Sequence, residues 1–308
     1  MPSIKDLKKR IATTKNTQQT TKAMKMVSAA KLRRAQEAIT SQRPYAKALG
    51  ELIKTVASLG NEEPASPLFG RVRADETGAT AKPRLVLLLV TSDRGLAGAF
   101  NSNVIKTAHR WIAANKQNYA SIELNFLGKK GFDFFKTKAY TIGTNHADLS
   151  GRVTIIKAKK LADKFVERYL GEEIDEVKIV YNEFKNAVTQ TTMVDTFLPI
   201  TPEKAATESP APAKAEATEN APIYILKPSQ RELMEALLKK QFATQTYRIM
   251  LDSQAGEHGA RMSAMENATK NAGEMIRKLT LQYNKQRQAG ITKELLEIIA
   301  GSESQKGA

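Results

Sequence analysis

Few residues of this 308-residue chain have the types and spacing to do chemistry. The best candidate is Asp93-Arg94-Gly95-Leu96-Ala97-Gly98, directly after the apolar run Leu85-Val86-Leu87-Leu88-Leu89-Val90. A glycine-rich turn between a buried strand and a helix can cradle phosphate oxygens on its backbone amides. This one lacks the full G-x-G-x-x-G spacing, and no acid stands out on a following strand end to hold a ribose. It reads better as a tight strand-to-helix turn whose glycines permit close packing. Gly128-Lys129-Lys130-Gly131 lacks the Gly-Lys-Ser/Thr of a phosphate loop. His109, His146 and His258 are too few and too scattered for a metal site, and no nucleophile–base set or acidic pair stands out. There is no cysteine, which excludes disulfides, thiol catalysis and thiolate metal ligation. The expectation is a non-catalytic chain without cofactor or metal.

The elements around that turn describe an α/β layer domain over residues 84–200. Leu85–Val90 is apolar on both faces, as in a parallel sheet. The pattern predicts a helix near 102–116, a strand at 122–127 and a short helix at 131–136. It predicts a further helix at 157–170 and strands at 177–184 and 191–198, the last alternating like an antiparallel edge. The order is Rossmann-like. Residues 61–83 read as a linker. Residues 201–222 hold seven alanines, four prolines and four glutamates, too little apolar surface to fold alone.

Two long helices flank this domain. Residues 229–308 contain no proline. Ser229 and Glu232 have capping-box spacing, and Gly301 is a suitable stop. Roughly 70 helical residues make a rod on the order of 100 Å, too long for a domain of this size to contain. Residues 1–60 form the second helix, capped by Ser3 and bent at Pro44. Its apolar stripe turns polar between Thr13 and Thr21. The late helix, within 223–308, carries Met262, Met265, Thr269, Ala272, Ile276, Leu279 and Tyr283 in 3-4 spacing, a coiled-coil repeat. The fold class is therefore α/β, with a long antiparallel coiled coil of the terminal helices. Setting residue 58 opposite 229 places Ile4 near Tyr283 and Met24 near Met262. About 17 residues, Lys285 to Gly301, then extend as a single helix. Ile291, Leu295, Leu296, Ile298 and Ile299 make that tip apolar, so something should surround it. Gly256, Gly259, Gly273 and Gly290 cost about 1 kcal/mol each in a helix and fit close backbone approach or a sliding sleeve.

The net charge is +16, and residues 1–43 alone hold 11 basic and two acidic side chains. A basic helical arm is either a solvated face or a surface for an acidic partner. Leu85–Val90 is far short of a membrane span, and the N-terminus lacks a signal peptide's apolar core.

Three segments carry a family resemblance: Lys15-Asn-Thr-Gln-Gln-Thr-Thr-Lys-Ala-Met24-Lys-Met-Val-Ser-Ala-Ala-Lys-Leu-Arg-Arg34, Ser92-Asp-Arg-Gly-Leu-Ala-Gly-Ala-Phe-Asn101 and Ile291-Thr-Lys-Glu-Leu-Leu-Glu-Ile-Ile-Ala-Gly301. The chain resembles, essentially end to end, the gamma subunit of F-type ATP synthase. The resemblance implies a central stalk, one copy per complex, turning in a ring of alpha and beta subunits. Its foot would sit on the membrane c-ring with the epsilon subunit. Rotation would couple proton flow to ATP synthesis or hydrolysis at the cytoplasmic face of a bacterial membrane. By motif, Lys22, Met24 and Lys25 would face the beta-subunit lever. Arg261, Arg287, Gln288, Thr292 and Glu294 would meet the sleeve, and Tyr224 would meet epsilon or the c-ring. The family's alanine after the closing glycine is Ser302 here. A basic coiled-coil nucleic-acid binder or scaffold is the alternative, but 6% aromatic residues and a single Arg33-Arg34 pair argue against nucleic-acid readout. A nucleotide-dependent enzyme built on the α/β domain is the third reading.

Overall fold

The computed structural model describes residues 3–58, 66–70, 81–186, 189–200, 227 and 229–306. Tyr224 and the 201–222 segment lie outside these residues. The chain divides into two compact units, Ala30–Ala260 and Met1–Ala29 with Arg261–Ala308. We refer to them as the sheet unit and the shaft unit.

The sheet unit is built on five strands: β1 (Arg84–Val90), β2 (Ser121–Leu127), β3 (Thr141–Asn145), β4 (Glu176–Phe184) and β5 (Gln190–Leu198). Their order is β3-β2-β1-β4-β5, parallel except for β5, which runs antiparallel to β4 at the edge as its alternation predicts. Two long helices, α1 (Ile4–Ser58) and α5 (Gln230–Lys306), bracket the sequence. Between them lie α2 (Phe100–Asn115), α3 (Lys129–Phe135) and α4 (Ile155–Leu170). The near-continuous apolar run of β1 is explained by its central place: both of its faces are covered. Leu87 and Leu89 pack with Val104, Ala108 and Ile112, which recur every four residues along α2. Val86, Leu88 and Val90 face the other way into the larger core. That core takes in Leu161 and Phe165 of α4. It also takes in Leu49, Ile53 and Val56 of α1, and Met234, Leu237, Leu238 and Phe242 of α5. Here the two long helices run antiparallel: Gln230 Nε2 donates to Val56 O (2.8 Å) and Gln42 Nε2 to Thr244 O (3.1 Å). The inner parts of both long helices are thus a layer of the sheet unit rather than an appendage to it.

β3 escapes prediction because it is five residues long with Gly143 at its centre. The glycine is required: a Cβ there would lie 2.1 Å from Glu123 Oε1. Arg168 of α4 holds that carboxylate through two bonds of 3.0 and 2.9 Å and keeps its pKa below the usual range. The helix ends follow their caps in part. Ser3 Oγ accepts from the Asp6 amide, and Asp6 Oδ2 accepts from the Ser3 amide in return. Ser229 Oγ accepts from Glu232 N at 3.3 Å. Gly301 does not end α5, which continues to Lys306. Glycine makes a stop geometry accessible without enforcing it.

The shaft unit pairs the outer parts of α1 and α5. On α1, Leu7, Ile11, Thr14, Gln18, Thr21, Lys25 and Ser28 recur at heptad spacing, each buried or half-buried. The α5 seam matches the predicted one from Met262 to Tyr283 and continues through Gln286 and Gly290.

Candidate functional site

The strand-to-helix turn after β1 is closed by its own side chains. The Ser92 amide donates to Asn101 Oδ1 (2.9 Å), and the Lys129 amide at the start of α3 donates to Asp93 Oδ1 (3.1 Å). The Gly131 amide donates to Thr91 Oγ1 (3.0 Å), and Asp93 Oδ2 accepts from Ser150 Oγ (2.7 Å). A carboxylate therefore already sits where an anion would have to bind. Gly128, with φ +104°, passes so close to Thr91 that a Cβ would fall 2.1 Å from its carbonyl oxygen. The turn is a packing device, as the spacing suggests.

The histidines are equally far from a metal site. His146 is buried at the end of β3, its ring edge-on to Phe165 at 5.8 Å. Neither ring nitrogen has a hydrogen-bond partner, and burial, helped by Lys164, lowers its pKa to about 4. Among the described residues no group of three or more His, Asp or Glu side chains could hold a metal ion.

What the chain presents is the shaft unit. Ile291, Leu295, Leu296, Ile298 and Ile299 are exposed, between 47% and 72%, as the sequence pattern requires. The bare segment is shorter than the predicted one. A side chain at Gly290 would sit 3.7 Å from Ile4 Cδ1, so Ile4 lies beside Gly290 rather than Tyr283, and the tip starts near Ile291 rather than Lys285. Helices curve and supercoil, so their register departs from that of straight rods of equal rise set from one anchor.

The site residues divide. Lys22, Arg287, Gln288, Thr292 and Glu294 are exposed and available to a partner. Met24 is half-buried beside the seam, and Lys25 Nζ is bonded to Glu266 Oε1 at 2.6 Å. Arg261 is 8% exposed and partnered within the chain, so it offers no outward guanidinium. Tyr224 lies outside the described residues. Sequence reasoning missed Met26 and Val27, which are 60% and 56% exposed, as well as Met275 and Leu281. All four fall off the seam positions, and that is the signal that could have found them. The polar band at 13–21 also divides: Thr14, Gln18 and Thr21 enter the seam, while Thr13, Asn16, Thr17, Gln19 and Thr20 remain exposed.

The comparisons with known proteins agree with this layout. The family model described as ATP synthase matches residues 3–304. The ATP synthase gamma chain of Geobacter metallireducens is 46% identical over 307 residues, covering 100% of both chains. That of Geotalea uraniireducens is 45% identical over 307 residues with the same coverage. The chain belongs to the ATP synthase gamma-chain family. A cryo-EM structure of the Euglena gracilis mitochondrial ATP synthase, OSCP/F1/c-ring, contains a chain of the same fold. Its TM-score is 0.61 at 20% identity, covering 98% of this chain and 94% of that one. The central stalk/c-ring structure from Tetrahymena thermophila gives 0.55 at 22% identity, covering 81% and 99%. As a gamma chain the protein is a non-catalytic stalk subunit of the synthase. That accords with a glycine turn closed by its own carboxylate. The sector to which gamma chains belong is peripheral to the membrane, and no described helix is long and apolar enough to cross one.

Proposed function

We infer that this gamma chain is the rotating central stalk of its synthase, transmitting torque between transmembrane proton flow and ATP synthesis or hydrolysis. The observation that carries the reading is the outer end of α5. Five large aliphatic side chains stand in water on a single helix with no partner among the described residues, and an enclosing protein is what makes such a surface tolerable. The occupant of that role is the ring of alpha and beta subunits. Lys22, Met26 and Val27 face the beta-subunit lever, and Arg287, Gln288, Thr292 and Glu294 make polar contacts around the tip. Solvent-accessible ion pairs are worth at most about 1 kcal/mol each, which suits a surface that must push without sticking. The sheet unit meets the epsilon subunit and the c-ring, with one copy of the chain per complex and no nucleic acid. Full-length bacterial relatives support a location at the cytoplasmic face of the cell membrane.

The test is co-purification and coupling. The chain should copurify with a hexameric ATPase. A version ending at Gly290 should keep the sheet unit folded yet lose ATP-driven proton pumping or assembly. Failure to copurify, or full coupling without the tip, would overturn the reading.

A further inference from the structure

Three helices of the sheet unit line a groove of about 950 Å³. Each contributes one stripe at helical spacing, within residues 38–45 of α1, 155–170 of α4 and 236–247 of α5. The stripe on α4 runs about 22 Å and that on α5 about 17 Å, roughly three to four turns of helix. Small side chains such as Val166, Ala236 and Ala243 line the groove, so another helix can approach closely. Tyr45, Ile155 and Leu170 also line it and are 55%, 47% and 41% exposed, which leaves apolar surface for that helix to cover. The charges are sorted by wall. Lys239 and Lys240 stand on α5. Asp163 and Glu167 stand on α4 one turn apart, and Lys159 precedes them by a turn. Among the described residues none of these five has an ion-pair partner.

We propose that this groove receives an amphipathic helix of a partner protein, apolar face inward, with acidic residues along the edge beside α5 and basic residues along the edge beside α4. Helix-in-groove recognition works in this way: an apolar stripe is buried and the flanking charges select the partner. Two bases at i, i+4 match Asp163 and Glu167, which have that spacing themselves. An acid one turn beyond them meets Lys159 and distinguishes the two directions in which the helix could lie. A lipid chain or a small apolar ligand would cover the apolar lining and leave the two charged walls unused. A solvent-accessible ion pair is worth up to about fivefold, so two contacts turned from attractive to repulsive amount to about tenfold in affinity. The groove is built by the sheet unit alone and owes nothing to the apolar tip of α5.

The probes are three fluorescent synthetic helices of about four turns with one leucine–alanine stripe. One carries glutamates on one edge and lysines on the other, the second glutamates on both edges, the third lysines on both. Anisotropy titration with the full chain should show the mixed helix binding about tenfold tighter than either of the others. The net charge of +16 by itself favours the all-glutamate helix, so general attraction predicts a different order. Lys239→Glu/Lys240→Glu makes both walls acidic and should move the preference to the all-lysine helix. Asp163→Lys/Glu167→Lys should move it to the all-glutamate helix. Ser41→Trp, at an exposed position lining the groove, should abolish binding of the mixed helix with the melting midpoint unchanged. If that variant melts lower, Ala236→Arg, also exposed and lining, is read in its place. An all-glutamate helix that binds the native chain best, a preference that ignores the wall substitutions, or binding that survives the blocked groove overturns the proposal. So does a chain that dimerises alone and returns to monomer with Ser41→Trp, because the occupant is then a second copy.

Discussion

Replacing Leu296 and Ile298 together by serine should leave this chain's own stability nearly untouched while weakening its capture by the catalytic ring. The two side chains are 60% and 72% exposed, so most of their apolar surface is still in water. Full burial of such a side chain is worth about 1.5–3 kcal/mol. Covering what remains exposed therefore offers about 1–2 kcal/mol each. Association realises only part of such a gain, since ordering costs oppose it. The expected loss of binding for the pair is about 1.5–3 kcal/mol, or roughly ten- to hundred-fold. Within the isolated chain, exposed substitutions of this kind stay within about 0.5 kcal/mol each. The assay is a pair of measurements on one sample: thermal melting of the chain alone, and titration of a purified alpha–beta ring with it. A loss of more than about 2 kcal/mol from the chain itself would show that the tip is packed within its own fold. Unchanged ring binding would show that the tip is not the enclosed element. Either result refutes the reasoning.

Three further outcomes follow from the sheet unit. Phe242→Ala removes a fully buried ring of α5 that packs against Phe197 at 5.1 Å, and should cost about 3–5 kcal/mol in urea unfolding. A loss under 1 kcal/mol would mean that α5 is not part of this core. Gly128→Ala forces a side chain onto Thr91 O at a φ of +104° and should cost more than about 3 kcal/mol, with soluble yield as a second readout. His146 has a folded pKa near 4 against an ordinary 6.5, so the unfolded chain takes up the proton first. Its contribution is fully present above pH 6.5 and is lost as pH falls to about 4, on the order of 2–3 kcal/mol. A His146→Leu chain should show a flatter stability profile over that window, and an unchanged slope would count against a buried neutral imidazole.

The legible parts of this protein were those whose signal is local. Leu85–Val90 reads as a doubly covered strand because its sequence is apolar at both parities, and β5 reads as an edge because it alternates. The apolar tip is legible because Ile291, Leu295, Leu296, Ile298 and Ile299 lie on the part of the longer helix that the shorter first helix does not reach. The illegible parts depended on a second element. Arg261 looks like an exposed contact along its own helix and is buried only by what packs over it. Met24 and Met26 differ by two positions and by one side of a seam.

The sequence by itself determined the two long helices, the layered α/β domain between them, the absence of thiol chemistry and the family. Each of these rests on periodicity, composition or motif, which a linear chain displays in full. Only the tertiary structure decided the register of α1 against α5. Side chains from residues some 250 positions apart must meet before Gln18 can lie against Gly273 or Ile4 against Gly290. The same holds for the closed turn at Asp93, whose carboxylate completes it by reaching the amide of Lys129. Spacing can announce a turn or a seam, but the choice of partner is made by three-dimensional contact, where hydrogen bonds and steric fit are worth having only in one alignment.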